Sequence, residues 1–99
     1  MKRTFVRYKA NPDDTQENER LIANVFAELR AKSPEGLRYL VLKLEDGSFL
    51  HFSSVENGGQ PVTELEAFRT FQSGVKARCV ELPVVSEARI VGDYRTLHE

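Results

Sequence analysis

Tryptophan is absent from the 99-residue chain, and cysteine and methionine each occur once. With Cys79 as its single cysteine, the chain cannot form an internal disulfide, which favours a reducing, cytoplasmic location. Long hydrophobic runs are also missing, so we expect no transmembrane helix and no membrane partner. The sequence passes from Met1 directly into a strand-like pattern, and we therefore expect no signal peptide.

An excess of charge of either sign is lacking as well. Lys and Arg together number 14 and Asp and Glu together number 15, which gives a formal net charge of -1. Nucleic-acid binding normally requires a basic surface, so we expect no nucleic-acid partner. One cysteine and two histidines in no ligand spacing predict no metal site. Gly58 and Gly59 lack the flanking residues of a phosphate-binding loop, and no cofactor is indicated.

The hydrophobic periodicity that is present predicts four strands and two helices. Strands are recognised by alternation and helices by apolar residues spaced three to four apart. The first helix carries one apolar stripe, formed by Leu21, Ile22, Val25, Phe26 and Leu29. The predicted order is strand 3–9, helix 15–32, strands 37–45 and 49–55, a helix from 63 to 74 or on to 79, and strand 88–95.

Local signals support these boundaries. Asp46 and Gly47 predict a type I′ turn between the two middle strands, because both residue types tolerate positive φ. Asp14 and Thr63, each followed three residues later by a glutamate, predict capping boxes at the two helix starts. Leucine is a weak strand former, so a short helix competes with the strand 37–45 until the turn decides between them.

This order predicts one ferredoxin-like α+β domain, β-α-β-β-α-β, over residues 1–99, with an antiparallel four-stranded sheet and two helices on one face. A slip of one residue in the first strand would exchange its faces. The sheet face predicted to contact the helices carries Leu40, Leu42, Leu44, Leu50 and Phe52. The opposite face is predicted to carry Tyr39, Val41, Phe49, His51 and Val55.

Three segments, 36–47, 49–52 and 65–71, resemble the dimeric α/β-barrel superfamily. This group includes the antibiotic-biosynthesis-type monooxygenases and the stress-responsive barrel proteins. The resemblance implies a homodimer whose two sheets form one barrel, with a cavity inside each half. It also implies a choice among cofactor-free oxygenases, haem-degrading enzymes, isomerases and proteins without known activity. Because tryptophan is absent, the chain lacks the Asn-Trp-His constellation that some members use.

His51 is the candidate catalytic residue. It lies in mid-strand on the predicted cavity face, and histidine can act as a general base near neutral pH. The alternative is a half-buried histidine that a neighbouring polar group satisfies. Tyr39, Val41 and Phe49 share that face and are the candidate ligand-binding residues. Cys79 has no sequence neighbour that would activate it as a nucleophile, so we expect an ordinary buried thiol.

Two functions remain open from the sequence. One is a cytoplasmic homodimer that binds a small apolar or aromatic molecule without catalysis. The other is a cofactor-independent monooxygenase acting on an aromatic substrate, which requires His51 and Tyr39 to meet in one cavity. An RNA-recognition module shares the strand order but needs a basic sheet face, which this chain lacks.

Overall fold

The computed structural model describes residues 1–97, and its elements follow the predicted order. Their bounds are β1 Lys2–Ala10, α1 Thr15–Lys32, β2 Leu37–Lys43, β3 Ser48–Val55, α2 Glu66–Ser73 and β4 Cys79–Glu87. The strands form one antiparallel sheet in the order β2-β3-β1-β4, and both helices pack on one face of it. The predicted ferredoxin-like α+β fold is therefore confirmed.

The register of the central strands determines which side chains share a face. His51 in β3 stands opposite Val6 in β1 and Val41 in β2. Directly opposed residues of antiparallel strands point to the same side of a sheet, so these residues lie in one row. Tyr8, opposite Phe49, lies one row further along the same face. The first strand thus alternates as a strand should, and its register against β3 is continuous.

The helices cover the opposite sheet face from the one predicted. Tyr8, Phe49 and His51 are buried beneath them, whereas Leu42 is 43% exposed on the other side of the sheet. Burying aromatic residues that carry polar atoms costs little when each polar atom finds a partner, and here the partners exist. The prediction that the leucine-rich face contacts the helices was therefore wrong. It relied on residue type alone, because leucine is more apolar than the tyrosine and histidine of the opposite face.

The hairpin between β2 and β3 exists, but its turn differs from the predicted type I′. Gly47 has a φ of +88°, whereas Asp46 does not adopt positive φ. The amide of Gly47 donates to the carbonyl of Leu44 over 3.1 Å, and the amide of Leu44 donates to the carbonyl of Ser48 over 2.8 Å. This is a three-residue loop with glycine in the left-handed position. Asp46 instead accepts the amide of Ser48 at 2.8 Å.

The last strand is β4, and the predicted strand 88–95 was wrong. Within residues 88–97 the structure contains no strand, although the amide of Ala88 still donates to the carbonyl of Arg3 over 2.9 Å. Pro83 lies within β4, although proline cannot donate to a strand ladder. It is tolerated here because β4 is an edge strand whose pairing with β1 shifts between Arg7 and Lys9.

The helix starts lack the predicted capping boxes. Neither Asp14 nor the residue before α2 makes a side-chain cap, and Thr63 lies in a short 3-10 turn. Glu28 of α1 takes over this role, because its carboxylate accepts the amides of Ala67 at 2.8 Å and Glu66 at 3.3 Å. A contact from a distant part of the chain thus provides the hydrogen-bond acceptor for the free backbone amides in the first turn of α2. Across residues 1–97, no helix is long and apolar enough to cross a membrane.

Candidate functional site

A cavity of about 720 Å³ lies between the sheet and the region of α2. Its floor is formed by side chains from all four strands, and its wall by the turn before α2, by α2 itself and by the residues that follow it. Such a volume suits a small organic molecule. The lining residues that matter for its chemistry are Val6, Tyr8, Tyr39, His51, Phe68 and Phe71.

His51 lies at this cavity, and both of its ring nitrogens are hydrogen-bonded to tyrosine hydroxyl groups. Nε2 is 2.8 Å from the hydroxyl oxygen of Tyr8, and Nδ1 is 2.5 Å from that of Tyr39. The histidine side chain is buried, with only 5% of its surface exposed. Burial disfavours the charged ring and lowers the pKa of His51 to about 4. The imidazole is therefore neutral at physiological pH.

The hydrogen bonds extend from Tyr8 away from the cavity. Asn18 of α1, which has no exposed surface, donates from Nδ2 to the Tyr8 hydroxyl over 2.8 Å. Arg78 then donates from Nε to Asn18 Oδ1 over 3.1 Å, and from Nη2 to the carbonyl of Phe71 over 2.9 Å. Its guanidinium also lies over the Phe71 ring, 5.1 Å from the centroid. We call this connected set the polar chain, and its members in order are Arg78, Asn18, Tyr8, His51 and Tyr39.

Both tyrosines of the polar chain keep their protons. Burial raises the pKa of Tyr8 and that of Tyr39 above the usual value for tyrosine. Aromatic packing fixes the position of Tyr39, because its ring stacks on Phe26 at 5.4 Å and meets the edge of Phe68 at 6.3 Å. At the centre of the site, His51, Tyr8 and Tyr39 therefore offer a neutral imidazole and two neutral phenols.

The structure brings only part of the predicted site together. His51 and Tyr39 meet at the cavity. Phe49 lies on the same sheet face but is buried in the core, stacked on Tyr8 at 5.4 Å. Val41 packs against this core and is also outside the cavity lining. That Val41 and Phe49 contact a ligand stays a prediction, as does a catalytic role for His51.

The sequence analysis missed Tyr8, Asn18 and Arg78. A signal for Asn18 existed, because it occupies the apolar stripe of α1 three residues before Leu21 and seven before Val25. A buried polar residue in such a stripe needs a partner, and this need predicts a polar contact inside the core. Arg78 gave no such signal, because it follows α2 in a short 3-10 turn without a periodic pattern.

The other reactive side chains show no catalytic arrangement. Cys79 is half-buried, burial raises the pKa of its thiol, and Sγ donates to the carbonyl of Val75 over 3.0 Å. In the part of the chain that the structure describes, no three His, Cys, Asp or Glu side chains cluster as metal ligands. His98 lies outside the described residues.

Comparison with known proteins identifies the fold. No protein-family model matches the sequence, and no curated protein matches it. Rv0793 from Mycobacterium tuberculosis is similar in structure, with a TM-score of 0.72 and 13% identity over 93% of this chain and 96% of that one. An antibiotic biosynthesis monooxygenase gives a TM-score of 0.70 and 12% identity, over 93% of this chain and 100% of that one.

A third similar structure is NE2512 from Nitrosomonas europaea, a protein of unknown function. It gives a TM-score of 0.66 and 17% identity, over 94% of this chain and 91% of that one. The chain therefore has the fold of the antibiotic biosynthesis monooxygenase-like proteins, as the sequence resemblance predicts. At these identities the likeness concerns the fold, and the function has to be argued from the site.

Proposed function

We propose that this protein is a homodimer that binds a small apolar or aromatic molecule in the cavity between the sheet and α2. The observation that supports this most directly is the cavity of about 720 Å³, which has aromatic walls at Phe68 and Phe71 and polar groups at Tyr39 and His51. Largely apolar pockets with a few placed polar atoms are the usual form of small-molecule sites.

The homodimer follows from the sheet face that the helices leave uncovered. We call this the outer face, and its apolar members are Phe5, Leu40, Leu42, Leu50 and Phe52. Leu42 is exposed and the other four are half-buried. An uncovered apolar face on a small domain favours association, and a two-fold interface lets one copy cover the other. This face, rather than the one carrying Val41, is therefore the proposed interface. A cytoplasmic location stays a prediction.

Ligand binding can be tested with naphthalene as an apolar aromatic probe. Its binding is measured by chemical-shift changes in the wild-type protein, in Ser53→Trp and in Ala27→Trp. Ser53 lines the cavity, so the larger side chain fills it, whereas Ala27 is exposed on α1 away from the cavity. We expect Ser53→Trp to abolish binding and Ala27→Trp to leave it unchanged. Equal binding by both variants would place the probe elsewhere and refute the cavity as the site.

A cofactor-independent monooxygenase is the second candidate, because His51 and Tyr39 meet at the cavity. In such a reaction the aromatic substrate supplies the electrons, one oxygen atom of O₂ enters the product and the other leaves as water. Tyrosines occupy both nitrogens of His51, so a substrate proton would reach it only through a tyrosine hydroxyl. A ring with a pKa of about 4 is also a weak base. Binding without catalysis is therefore the better-supported function.

Oxygen consumption distinguishes the two candidates. Purified protein is mixed with hydroxylated naphthalenes in air-saturated buffer, and O₂ uptake is compared with that of buffer alone. A monooxygenase would consume O₂ in proportion to protein concentration, and His51→Gln would lose this activity. Binding alone predicts no uptake above the buffer rate, with naphthalene still bound.

A further inference from the structure

The polar chain has a direction, and Arg78 sets it. A guanidinium has only donors, so the atom of Asn18 that faces Arg78 must be the amide oxygen. The amide nitrogen of Asn18 then faces Tyr8 and donates to its hydroxyl oxygen at 2.8 Å. The orientation of the Asn18 amide, at one end of the polar chain, is thereby fixed by the donors of Arg78.

The direction passes from Tyr8 to His51. The Tyr8 hydroxyl already accepts from Asn18, and its single proton remains to be donated. Its other described partner is His51 Nε2 at 2.8 Å. Tyr8 is only 2% exposed, so a proton without an acceptor would be costly there. Tyr8 therefore donates to Nε2, which carries no proton.

The tautomer of His51 then follows. A neutral imidazole with an unprotonated Nε2 carries its proton on Nδ1, and this proton points to the Tyr39 oxygen at 2.5 Å. The reverse order would protonate Nε2, make Tyr8 accept from both neighbours and leave its own proton unpaired in the core. The fixed end at Arg78 and the burial of Tyr8 together exclude that order.

We propose that the polar chain makes Tyr39 a hydrogen-bond donor to the cavity, so that the bound molecule carries an acceptor such as a carbonyl oxygen. The Tyr39 oxygen accepts from His51, and its own proton has no described protein partner. Because Tyr39 lines the cavity, this proton is available to a ligand. The part of the inference that concerns a bound ligand rests on the proposed function, whereas the positions of the protons in the polar chain do not. Arg78 acts as a positioning residue, since it sets the direction of the polar chain without itself lining the cavity.

The order of the protons can be tested without any ligand. Proton–nitrogen correlation NMR reports which nitrogen of a histidine ring carries the proton. We expect His51 to show a protonated Nδ1 and an unprotonated Nε2 in the wild-type protein. Arg78→Met keeps an unbranched side chain at this position but removes the donor to Asn18. The Asn18 amide can then turn, so the two nitrogen signals should move toward a mixture of tautomers. Arg78→Lys retains a donor and should restore the wild-type pattern.

The acceptor requirement is tested with two pairs of probes. Acetylnaphthalene carries a carbonyl acceptor, and isopropylnaphthalene has nearly the same shape without one. Indole carries a donor and indene lacks it. We expect acetylnaphthalene to bind roughly threefold to tenfold more tightly than isopropylnaphthalene, which is the range of one neutral hydrogen bond. Indole should gain nothing over indene, and Tyr39→Phe should remove the preference for acetylnaphthalene while retaining isopropylnaphthalene.

The outcomes separate this inference from the proposed function. A protonated Nε2 in the wild type, or a preference for indole over acetylnaphthalene, overturns the inference. Equal affinities for acetylnaphthalene and isopropylnaphthalene also overturn it, although both compounds would then still bind in the cavity. If no probe binds, or if Ser53→Trp does not block binding, the proposed function fails while the NMR result still decides the direction of the polar chain.

Discussion

We expect acidification to destabilise the protein through protonation of His51. This effect should appear at higher pH than the titration of the protein's carboxylates. The folded-state pKa of about 4 lies below the ordinary value of 6.5, because burial disfavours the charged ring. The folded state therefore binds fewer protons than the unfolded state between these two values. The stability that a neutral His51 provides is complete above about pH 6.5, and it is lost as the pH falls toward about 4.

The size of the effect follows from the two pKa values. Between about pH 7.5 and about pH 5, protonation of the unfolded histidine lowers the free energy of unfolding by about 2 kcal/mol. Glu17, Glu28 and Asp46 have carboxyl pKa values held below their usual range by their hydrogen-bond partners. The stability they add is lost at still lower pH, so it contributes little in this window.

The assay is urea unfolding followed by circular dichroism at both pH values, for the wild type and for His51→Gln. Protein concentration is held constant because a dimer makes apparent stability depend on it. Glutamine retains hydrogen-bonding atoms but does not titrate, so the variant should be less stable overall and lose the pH dependence. His98 is present in both proteins, and its contribution cancels in the comparison.

An equal loss of stability in the two proteins would refute the assignment of the pH dependence to His51. Should the glutamine variant fail to fold, an NMR titration of the wild-type ring decides the question directly. A measured His51 pKa near its ordinary value of 6.5, rather than about 4, would show that the site is wet instead of buried.

Three further changes test the fold and the proposed assembly. Phe52→Asp on the outer face should convert the dimer to monomers in gel filtration, whereas Val91→Asp in the exposed C-terminal segment should not; monomeric wild type would contradict the proposal. Gly36→Ala should cost about 1 to 2 kcal/mol in urea unfolding, because Gly36 has a φ of +74° and a Cβ there would lie 3.2 Å from the Cα of Gly59. Glu28→Ala should lower the thermal midpoint by removing the acceptor for the first turn of α2, and an unchanged midpoint would mean that water replaces it.

Periodicity in the sequence predicted most elements because each depends on neighbours close in the chain. The existence of α1 follows from its apolar stripe, which runs from Leu21 to Leu29 in the middle of the helix. The hairpin between β2 and β3 follows from Asp46 and Gly47, although the turn type depended on the number of residues in the loop. The last strand was misplaced because it contains Pro83, and proline is excluded only from central strands. That β4 lies at the edge is a property of the whole sheet, which the local sequence does not show.

The candidate site was predictable only in part. His51 and Tyr39 stand on one face of adjacent strands, and alternation in a strand is enough to predict that they share a side. Which side the helices cover is a separate question, since both faces of this sheet are apolar. The answer depended on Asn18 and Arg78, which are 60 residues apart. Arg78 donates to Asn18, and Asn18 donates to the buried Tyr8 hydroxyl, which is hydrogen-bonded to His51.

Local periodicity encodes the order of strands and helices, the ferredoxin-like class and the shared face of His51 and Tyr39, so these features could be read from the residues alone. Which face forms the core, where the cavity lies and how the polar chain is oriented are visible only in the folded protein. These features depend on buried polar atoms finding partners from distant segments, and the resulting cost or gain exists only once the chain has folded.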